Sequence, residues 1–299
     1  MSECEAFLEY LKSERNKSEH TIKSYETSLQ QFEEFFGSLD KELTWSTVTG
    51  DIVREWIIYL ADSQKLSKNS INARLSALRT FYHYLKRIGV ETLNPMLRIE
   101  GPKKDKILPS FVKEAEMDRL LDSEFPDSFQ GILEKTVITL LYLTGMRRSE
   151  ILSLTDRDID LNAKQIKVTG KRNKQRLIPF GQELEDCIRT YLKARNSQFE
   201  GTGQLLVNAK GKPMTANGLT KIVRDNLSKV TTLKKKSPHV LRHSFATAML
   251  NNRADLVSIQ KLLGHADLHT TEVYTHLSFE DLKDVYKQAH PRSNKKVPS

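Results

Sequence analysis

Apolar side chains recur at helical spacing through the first ninety residues, and this pattern restricts the fold of the N-terminal part. They occupy every third or fourth position, which places them on one face of a helix. The stretches with this spacing are residues 7–11, 22–36, 51–60 and 71–85. Ser2 and Glu5 form the sequence pattern of a capping box before the first stretch. We therefore predict four helices and no strand, that is, an all-α N-terminal domain over residues 1–100.

The second part of the chain carries a different signal between Asp158 and Phe180. Apolar and polar residues alternate there in three short runs, and the polar turn Gly170–Lys174 separates the last two. Pro179 marks the end of the last strand, and helical spacing returns on both sides of this block. The predicted fold class is mainly α with a small antiparallel β-sheet, in which an all-α domain precedes an α+β domain.

Turn residues and charge set the predicted domain limits. Residues 101–110 begin with Gly101 and Pro102 and continue with three lysines, which is typical of an exposed basic linker. The α+β domain is then expected over residues 111–290. Residues 291–299 are basic and poor in apolar side chains, so we expect a disordered tail there.

Charge is unevenly distributed along the chain, whose formal net charge is +9. Residues 1–100 contain 13 basic and 15 acidic side chains, whereas residues 101–299 contain 34 basic and 23 acidic ones. A basic second part indicates a polyanionic partner such as nucleic acid, although many basic proteins bind none.

Composition also bears on the cellular compartment. The two cysteines, Cys4 and Cys187, form neither a disulfide framework nor a metal-site spacing. No apolar run is long enough to span a bilayer, and no secretory signal opens the chain. We therefore expect a cytoplasmic protein that does not contact a membrane.

Four side chains near the C-terminus have the chemistry to handle a phosphate group. His239 and Arg242 are three residues apart and share one face of a predicted helix. Arginine offers a fork of donors that matches phosphate oxygens, and histidine can donate a hydrogen bond or move a proton. His265 follows Gly264, where we expect a helix to end, and the hydroxyl of Tyr274, once activated, can attack phosphorus.

Each of these residues alone has a simpler interpretation. Tyr274 alone is more often a core tyrosine, and His239 alone is more often a structural or capping residue. His265, His269 and His276 are also candidate metal ligands, although Gly264 breaks the helix that the first two would need. The pattern as a whole is what favours catalysis.

Five motifs resemble those of one known family. They are TGMRRSE at residues 144–150, GKRNKQR at 170–176, HVLRH at 239–243, LGH at 263–265 and TEVYTH at 271–276. In this order and spacing they resemble the tyrosine recombinase family, specifically its Xer-like branch, over nearly the whole chain. Residues 70–85 also resemble the core-binding domain of that family. The resemblance implies a core-binding helical domain followed by a catalytic domain of the tyrosine recombinase type.

The resemblance implies roles for the positions that match. Tyr274 matches the nucleophile, and Arg147 and Arg242 match the arginine pair that holds the scissile phosphate. Such a pair stabilises the negative charge that develops when a nucleophile adds to phosphorus.

The remaining matches concern proton transfer and phosphate contact. Lys171 matches the general acid for the leaving 5′-oxygen, His239 matches the residue that assists proton removal from the tyrosine, and His265 matches the last phosphate-contacting residue. Because the phosphotyrosyl product conserves the phosphodiester energy, the implied reaction requires no cofactor, neither ATP nor a metal.

Further polar and basic residues are predicted to contact DNA, although a solvated surface is the simpler interpretation for each of them. They are Lys68, Asn72, Arg79, Lys103, Lys104, Arg172, Lys174, Arg176 and His243. The implied partner is duplex DNA with a specific recombination site. The implied assembly on it is a homotetramer, or a heterotetramer with a second recombinase.

The predicted function is site-specific recombination through a 3′-phosphotyrosyl intermediate and a Holliday junction, for chromosome dimer resolution. An integrase of a mobile element would share this chemistry. A type IB topoisomerase and an inert DNA-binding accessory protein are remoter alternatives, against which the Xer-like N-terminal domain and the intact catalytic motifs argue respectively. The apolar residues after Tyr274 are expected to pack on a neighbouring protomer.

Overall fold

Two compact units make up the chain, residues 1–107 and residues 108–299. The computed structural model describes residues 2–90, 93–103, 110–170, 174–199, 201, 203–264 and 278–293. Each unit has a hydrophobic core of its own, so each is described by itself.

Unit 1 consists of four helices over its described residues, as the helical spacing predicts. They are α1 (Glu3–Ser13), α2 (Glu19–Leu39), α3 (Gly50–Asp62) and α4 (Lys68–Arg87). Serine side chains cap three of these helices, and Ser2 forms the predicted capping box with Glu5. Large aromatic side chains fill the core between the helices, including Phe32, Trp45 and Trp56.

The segment after α4 packs on unit 1 further along the chain than the sequence predicts. Asn72 on α4 donates a hydrogen bond to the carbonyl of Pro102 (2.9 Å). Arg79, also on α4, donates one to the carbonyl of Ile99 (2.8 Å). A Cβ on Gly101 would lie 2.0 Å from Asn72 Oδ1, so a larger residue there would displace the Asn72 side chain. The first two residues of the predicted linker 101–110 are therefore held against α4 and are not part of an exposed strap.

Unit 2 combines eight helices with a three-stranded antiparallel sheet among its described residues, and this confirms the predicted fold class. The helices are α5 (Glu114–Leu121), α6 (Phe129–Thr144), α7 (Arg148–Leu152), α8 (Gln182–Gln198), α9 (Ala216–Leu227), α10 (Pro238–Asn251), α11 (Leu256–Leu263) and α12 (Phe279–Ala289). The strands are β1 (Ile159–Asp160), β2 (Gln165–Thr169) and β3 (Gln175–Pro179), paired in that order. Ile166 lies opposite Ile178 in the β2–β3 pair.

Helix α6 lies at the centre of unit 2. Its apolar side chains point in all directions rather than along one stripe, and α8, α9 and α10 pack around it. Ser128 caps its start, and Gly145 ends it in the left-handed conformation with φ 59°. The central position of α6 fixes where the chain emerges at Gly145, next to the candidate site.

Helix α12 packs on its own unit, contrary to the expectation that this segment lies on a neighbouring protomer. Tyr286 is buried beside Phe245 and Met249 of α10, and Leu282 and Val285 pack against the same cluster. The sequence of a short amphipathic helix does not reveal which core it packs on, because its apolar stripe can pack on its own unit or on a neighbouring protomer.

The predicted tail does not begin at residue 291, because His290, Arg292 and Ser293 are buried on unit 2. The side chain of Arg292 is 3% exposed and donates hydrogen bonds to Glu183 (2.7 Å), Asp118 (2.8 Å) and Asp122 (2.8 Å). The positive charge of Arg292 favours a solvent-exposed segment when only the sequence is considered. In the fold, three carboxylates compensate this charge, so the side chain can be buried. No helix of the described chain is long and apolar enough to cross a membrane.

Candidate active site

A left-handed residue, Gly145, ends α6 two positions before Arg147. Gly145 adopts φ 59°, and a Cβ there would meet Phe245 at 2.6 Å and Leu263 at 2.7 Å, so glycine is required twice over. Arg147 follows as the N-cap residue of α7, and its backbone N–H donates to Glu150 Oε2 (2.8 Å). The backbone of Arg147 is therefore fixed by α6 on one side and by α7 on the other.

The guanidinium of Arg147 is held at two points and remains accessible. Its Nη1 donates to Glu150 Oε1 (2.9 Å), and its Nη2 donates to the backbone carbonyl of Gly264 (2.9 Å). The side chain is 36% exposed, so N–H groups that face solvent can contact an anion.

Glu150 is a buried carboxylate that binds two arginines. Besides Arg147 it accepts two hydrogen bonds from Arg176, each of 2.9 Å, and its side chain is 3% exposed. Burial alone would raise the pKa of Glu150, but the hydrogen bonds and charges of Arg176 and Arg147 outweigh burial and hold the pKa below its ordinary value. The carboxylate therefore stays ionised at neutral pH.

The sequence motifs by themselves predict no role for Glu150. A signal for it exists, because Arg147 and Glu150 have the N-cap to N3 spacing of a capping box. That spacing indicates a helix start, however, and does not reveal that the carboxylate is buried between two guanidinium groups.

Arg242 lies on α10 and is more deeply buried than Arg147. It is 7% exposed, and it donates to the carbonyl of Gly145 (2.7 Å) and to the carbonyl of Leu263 (2.7 Å). These carbonyls belong to the ends of α6 and α11, whose last carbonyl groups lack partners within the helix. Burial, together with the charge of Arg147, lowers the pKa of Arg242 to about 10, so the guanidinium remains charged at neutral pH.

His239 lies exposed in the first turn of α10, close enough to Arg242 for their charges to interact. Partial shielding of the ring from water, together with the charges of Arg148 and Arg242, lowers the pKa of His239 below its ordinary value of 6.5. The neutral imidazole, which can accept a proton, is therefore the main form at pH 7. Ser237 is the N-cap as predicted, although its Oγ accepts no capping hydrogen bond.

Several predicted residues lie outside the described residues. They are Lys104, Lys171, Arg172, His265 and Tyr274. Two described residues of unit 2, Gly170 and Gly264, directly precede Lys171 and His265. Gly170 donates its N–H to the carbonyl of Lys174 (2.8 Å) across the β2–β3 turn, and Gly264 ends α11 in the left-handed conformation as predicted.

The described residues predicted to contact DNA fall into two groups. Lys68, Lys103, Lys174 and His243 are exposed. Asn72, Arg79 and Arg176 are only partly exposed, and they donate hydrogen bonds to backbone carbonyls or to a carboxylate. The sequence does not distinguish these two groups, because the sequence pattern of a polar side chain on a helix or strand does not depend on whether its partner is water, DNA or a distant carbonyl.

The site as a whole is an anion-binding arrangement. Three guanidinium groups, of Arg147, Arg176 and Arg242, surround the ends of α6 and α11, and the carboxylate of Glu150 balances one of their charges. An excess of two positive charges suits a phosphate group, above all one that gains charge during a reaction. In the described part of the chain, no three histidine, cysteine or acidic side chains cluster as metal ligands.

Two family models match the chain. The model of the phage integrase family matches residues 110–281, and the model of the phage integrase N-terminal SAM-like domain matches residues 4–89. The chain belongs to the phage integrase family. The enzyme class predicted from the motifs, a tyrosine-type DNA recombinase, is thereby shown.

Individual members of the phage integrase family are similar over almost the whole chain. A tyrosine recombinase XerC of Staphylococcus epidermidis is 41% identical over 293 residues, which is 97% of this chain and 98% of that protein. The structure of a XerH site-specific recombinase bound to its difH substrate, a pre-cleavage complex, is 25% identical with a TM-score of 0.69, covering 95% of this chain and 84% of that one. A Tn1549 transposon integrase in complex with transposon end DNA shares the fold, with a TM-score of 0.71 at 20% identity over 95% of this chain and 98% of that one.

Proposed function

We propose that this recombinase cuts and rejoins duplex DNA at a specific site through a 3′-phosphotyrosyl intermediate on Tyr274. One observation carries the proposal. The guanidinium groups of Arg147 and Arg242 bind the carbonyls of Gly264 and Leu263, directly before His265 in the chain. Two arginines thus lie at the start of the segment that contains Tyr274.

Cleavage requires that a weak nucleophile be activated. A free tyrosine has a pKa of about 10 and is mostly protonated at neutral pH. The hydroxyl of Tyr274 attacks the scissile phosphorus while neutral His239 accepts its proton. The new O–P bond replaces the bond to the 5′-oxygen, which takes a proton from Lys171. The reverse reaction, with a 5′-hydroxyl from another strand, completes the exchange.

Charge stabilisation is the task of the arginines. The pentavalent phosphorus of the transition state carries more negative charge than the starting phosphodiester. Arg147 and Arg242, with His265, are proposed to bind its non-bridging oxygens, and both guanidinium groups are held in place before the DNA arrives. Preorganised donors of this kind lower the barrier because they need no rearrangement during the reaction.

The proposed substrate is a pair of duplex sites held by four protomers. Exchange of one strand pair gives a Holliday junction, and exchange of the other resolves it. The XerH site-specific recombinase bound to its difH substrate supports a specific recombination site as the substrate, and both units of this chain match the family models. The tetramer is either a homotetramer or a heterotetramer with a second recombinase.

Chromosome dimer resolution is the proposed biological role. The support is the 41% identity to a tyrosine recombinase XerC over 97% of the chain. Integration of a mobile element would use the same residues, so catalysis alone does not distinguish the two roles. A deletion strain that accumulates unresolved chromosome dimers would support the proposed role, and normal chromosome segregation would contradict it.

The chemistry is tested with a nicked duplex that carries a candidate recombination site. Cleavage beside the nick releases a short fragment and traps the covalent intermediate, which is measured on a denaturing gel without metal or ATP. The wild-type chain is expected to form the covalent band, and Tyr274→Phe is expected to form none, because phenylalanine lacks the attacking oxygen.

Tyr286→Phe is the matched control. Tyr286 is 1% exposed, and burial raises the pKa of its hydroxyl, so it cannot serve as the nucleophile. This variant should retain the band. A band that persists in Tyr274→Phe would refute the nucleophile assignment. Relaxation of supercoiled DNA without two-site exchange would indicate a topoisomerase instead.

A further inference from the structure

Arg176 connects Glu150 of α7 with the end of α11 in unit 2, and its sequence context does not show this connection. It lies on β3, five residues after Lys171 in the sequence, and its side chain is 14% exposed. Nη1 and Nη2 each donate to one oxygen of Glu150 (2.9 Å), and Nε donates to the backbone carbonyl of Leu262 (2.8 Å). All three nitrogens of the guanidinium therefore bind the protein.

Both partners of Arg176 support residues of the proposed phosphate site. Glu150 holds the Nη1 of Arg147 and also its backbone N–H. Leu262 lies in the last turn of α11, whose following carbonyls bind Arg242 and Arg147. The guanidinium also lies against the backbone of Gly264, where an added Cβ would approach its Nη1 at 3.0 Å and its Cζ at 3.1 Å. One planar group thus contacts the supports of both catalytic arginines.

Loss of this group would alter Arg147 first. Glu150 is buried and ionised, and it now shares its charge between two arginines. Without Arg176, Arg147 becomes its main counter-ion, and a buried carboxylate binds a single guanidinium more strongly. Arg147 would then be drawn towards Glu150 and away from a phosphate.

We propose that Arg176 is a positioning residue, which holds Glu150 and the end of α11 so that Arg147 is free to bind the scissile phosphate. This inference rests on the proposed function. It replaces the DNA contact that the sequence predicts for Arg176, because the guanidinium is directed inward. The proposed effect is on phosphate binding in the transition state and not on protonation of the leaving group.

A substrate with sulfur in place of the bridging 5′-oxygen separates these two effects. When the tyrosine oxygen bonds to phosphorus, the P–S bond breaks and sulfur leaves as a thiolate, which needs no proton at neutral pH. Lys171→Ala, which lacks the proposed general acid, should cleave this substrate much better than the ordinary one. Arg176→Met should be slower than wild type by about 100-fold on both substrates, as is typical when one charge-stabilising group is lost.

Two further measurements are the affinity of Arg176→Met for DNA and the cleavage rate of the conservative variant Arg176→Lys. Arg176→Met should bind the site within about threefold of wild type, whereas a lost DNA contact would weaken binding in parallel with cleavage. Arg176→Lys should recover part of the rate, because a point charge can still reach Glu150 but cannot also bind the carbonyl of Leu262. Arg189→Met, which removes an exposed arginine of α8, is the matched control and should cleave normally.

The outcomes are distinct. Unchanged cleavage by Arg176→Met, restoration of its rate by the sulfur substrate, or a parallel loss of DNA affinity would each overturn the inference. If Arg176→Met does not fold, Arg176→Lys carries the same comparison between the two substrates. Absence of cleavage by the wild-type chain would instead count against the proposed function, so the two failures are distinguishable.

Discussion

A single carboxylate organises the charged residues of the proposed site. Arg147, Arg176 and Arg242 would repel one another if nothing lay between them, and the ionised Glu150 reduces that repulsion. It does not remove the excess positive charge, which is left for an anion. The carbonyls at the ends of α6 and α11 add partial negative charges without adding a second carboxylate.

The pH dependence of cleavage tests the proposed role of His239. Its pKa lies below 6.5, so the neutral form that accepts a proton predominates at pH 7 and is lost only as the pH falls through that lowered value. The acid-side midpoint of the single-turnover cleavage rate of a nicked substrate should therefore lie below pH 6.5. His239→Gln should be slower by about 100-fold or more, and the fall on the acid side should become shallower.

His20→Gln, which changes an exposed histidine of α2 in unit 1, is the control and should keep the wild-type profile. A wild-type rate that already falls between pH 8 and pH 7 would contradict the lowered pKa. An unaltered acid limb in His239→Gln would assign that limb to another group.

Among the elements, α12 depends on the residues that follow it. His290 stacks on the ring of Tyr286 and is fully buried, and burial lowers its pKa to about 3, so it is neutral in the fold. Its Nδ1 accepts a hydrogen bond from the backbone N–H of Arg292 (3.2 Å), and Arg292 binds the carboxylates of α5 and α8. Residues 290–293 thus fasten the C-terminal end of α12 to unit 2, while its N-terminal end follows the segment with Tyr274.

Breaking this attachment should destabilise unit 2. Arg292→Met leaves Glu183, 6% exposed, without its main counter-ion, and we expect the free energy of unfolding to fall by about 3 kcal/mol. A chain ended after Ala289 should lose at least as much, whereas a chain ended after Ser293 keeps the attachment. Urea unfolding followed by circular dichroism measures these changes.

Tryptophan fluorescence supplies an internal control for this experiment. The two tryptophans of the chain, Trp45 and Trp56, both lie in unit 1, so their transition should not move. Arg189→Met removes an arginine that is 52% exposed, and its partner Glu185 keeps the ion pair with Lys164 (3.0 Å), so it should cost less than about 1 kcal/mol. An unfolding transition of unit 2 that is the same in Arg292→Met and wild type would show that the attachment contributes no stability.

At the scale of the whole molecule, two separately cored units are proposed to act on one duplex. Their charges differ, because residues 1–107 contain 16 basic and 16 acidic side chains, whereas residues 108–299 contain 31 basic and 22 acidic ones. Unit 1 can therefore contribute to DNA binding only through local basic positions such as Lys68, whereas unit 2 attracts phosphates over a wider surface.

The salt dependence of DNA affinity tests whether both units contact phosphates. Lys68→Ala in unit 1 and Lys174→Ala in unit 2 should each weaken binding to all sequences and reduce the slope of log K against log salt by about 0.9, the value for one phosphate contact. Titrations at several salt concentrations with labelled duplex measure this slope. Arg189→Ala should leave it unchanged, and an unchanged slope in Lys68→Ala would remove that side chain from the proposed contacts.

Local patterns in the sequence determined the elements and the chemistry. Features that depend on neighbours within a few residues can be predicted from the sequence. They include the helical stripes of unit 1, the alternation in β2 and β3, and the helix ends at Gly145 and Gly264. The family motifs can be recognised for the same reason, because each occupies only a few consecutive positions and the motifs follow one another in a fixed order along the chain.

Only the tertiary structure decided which polar side chains face inward. Arg176 binds a carbonyl 86 residues away, and Arg292 binds a carboxylate 109 residues away. The sequence predicted a DNA contact for the first and a disordered tail for the second, because an isolated charge is normally solvated. A buried charge is stable only when distant groups converge on it, and that convergence is a property of the packed helices rather than of any local pattern.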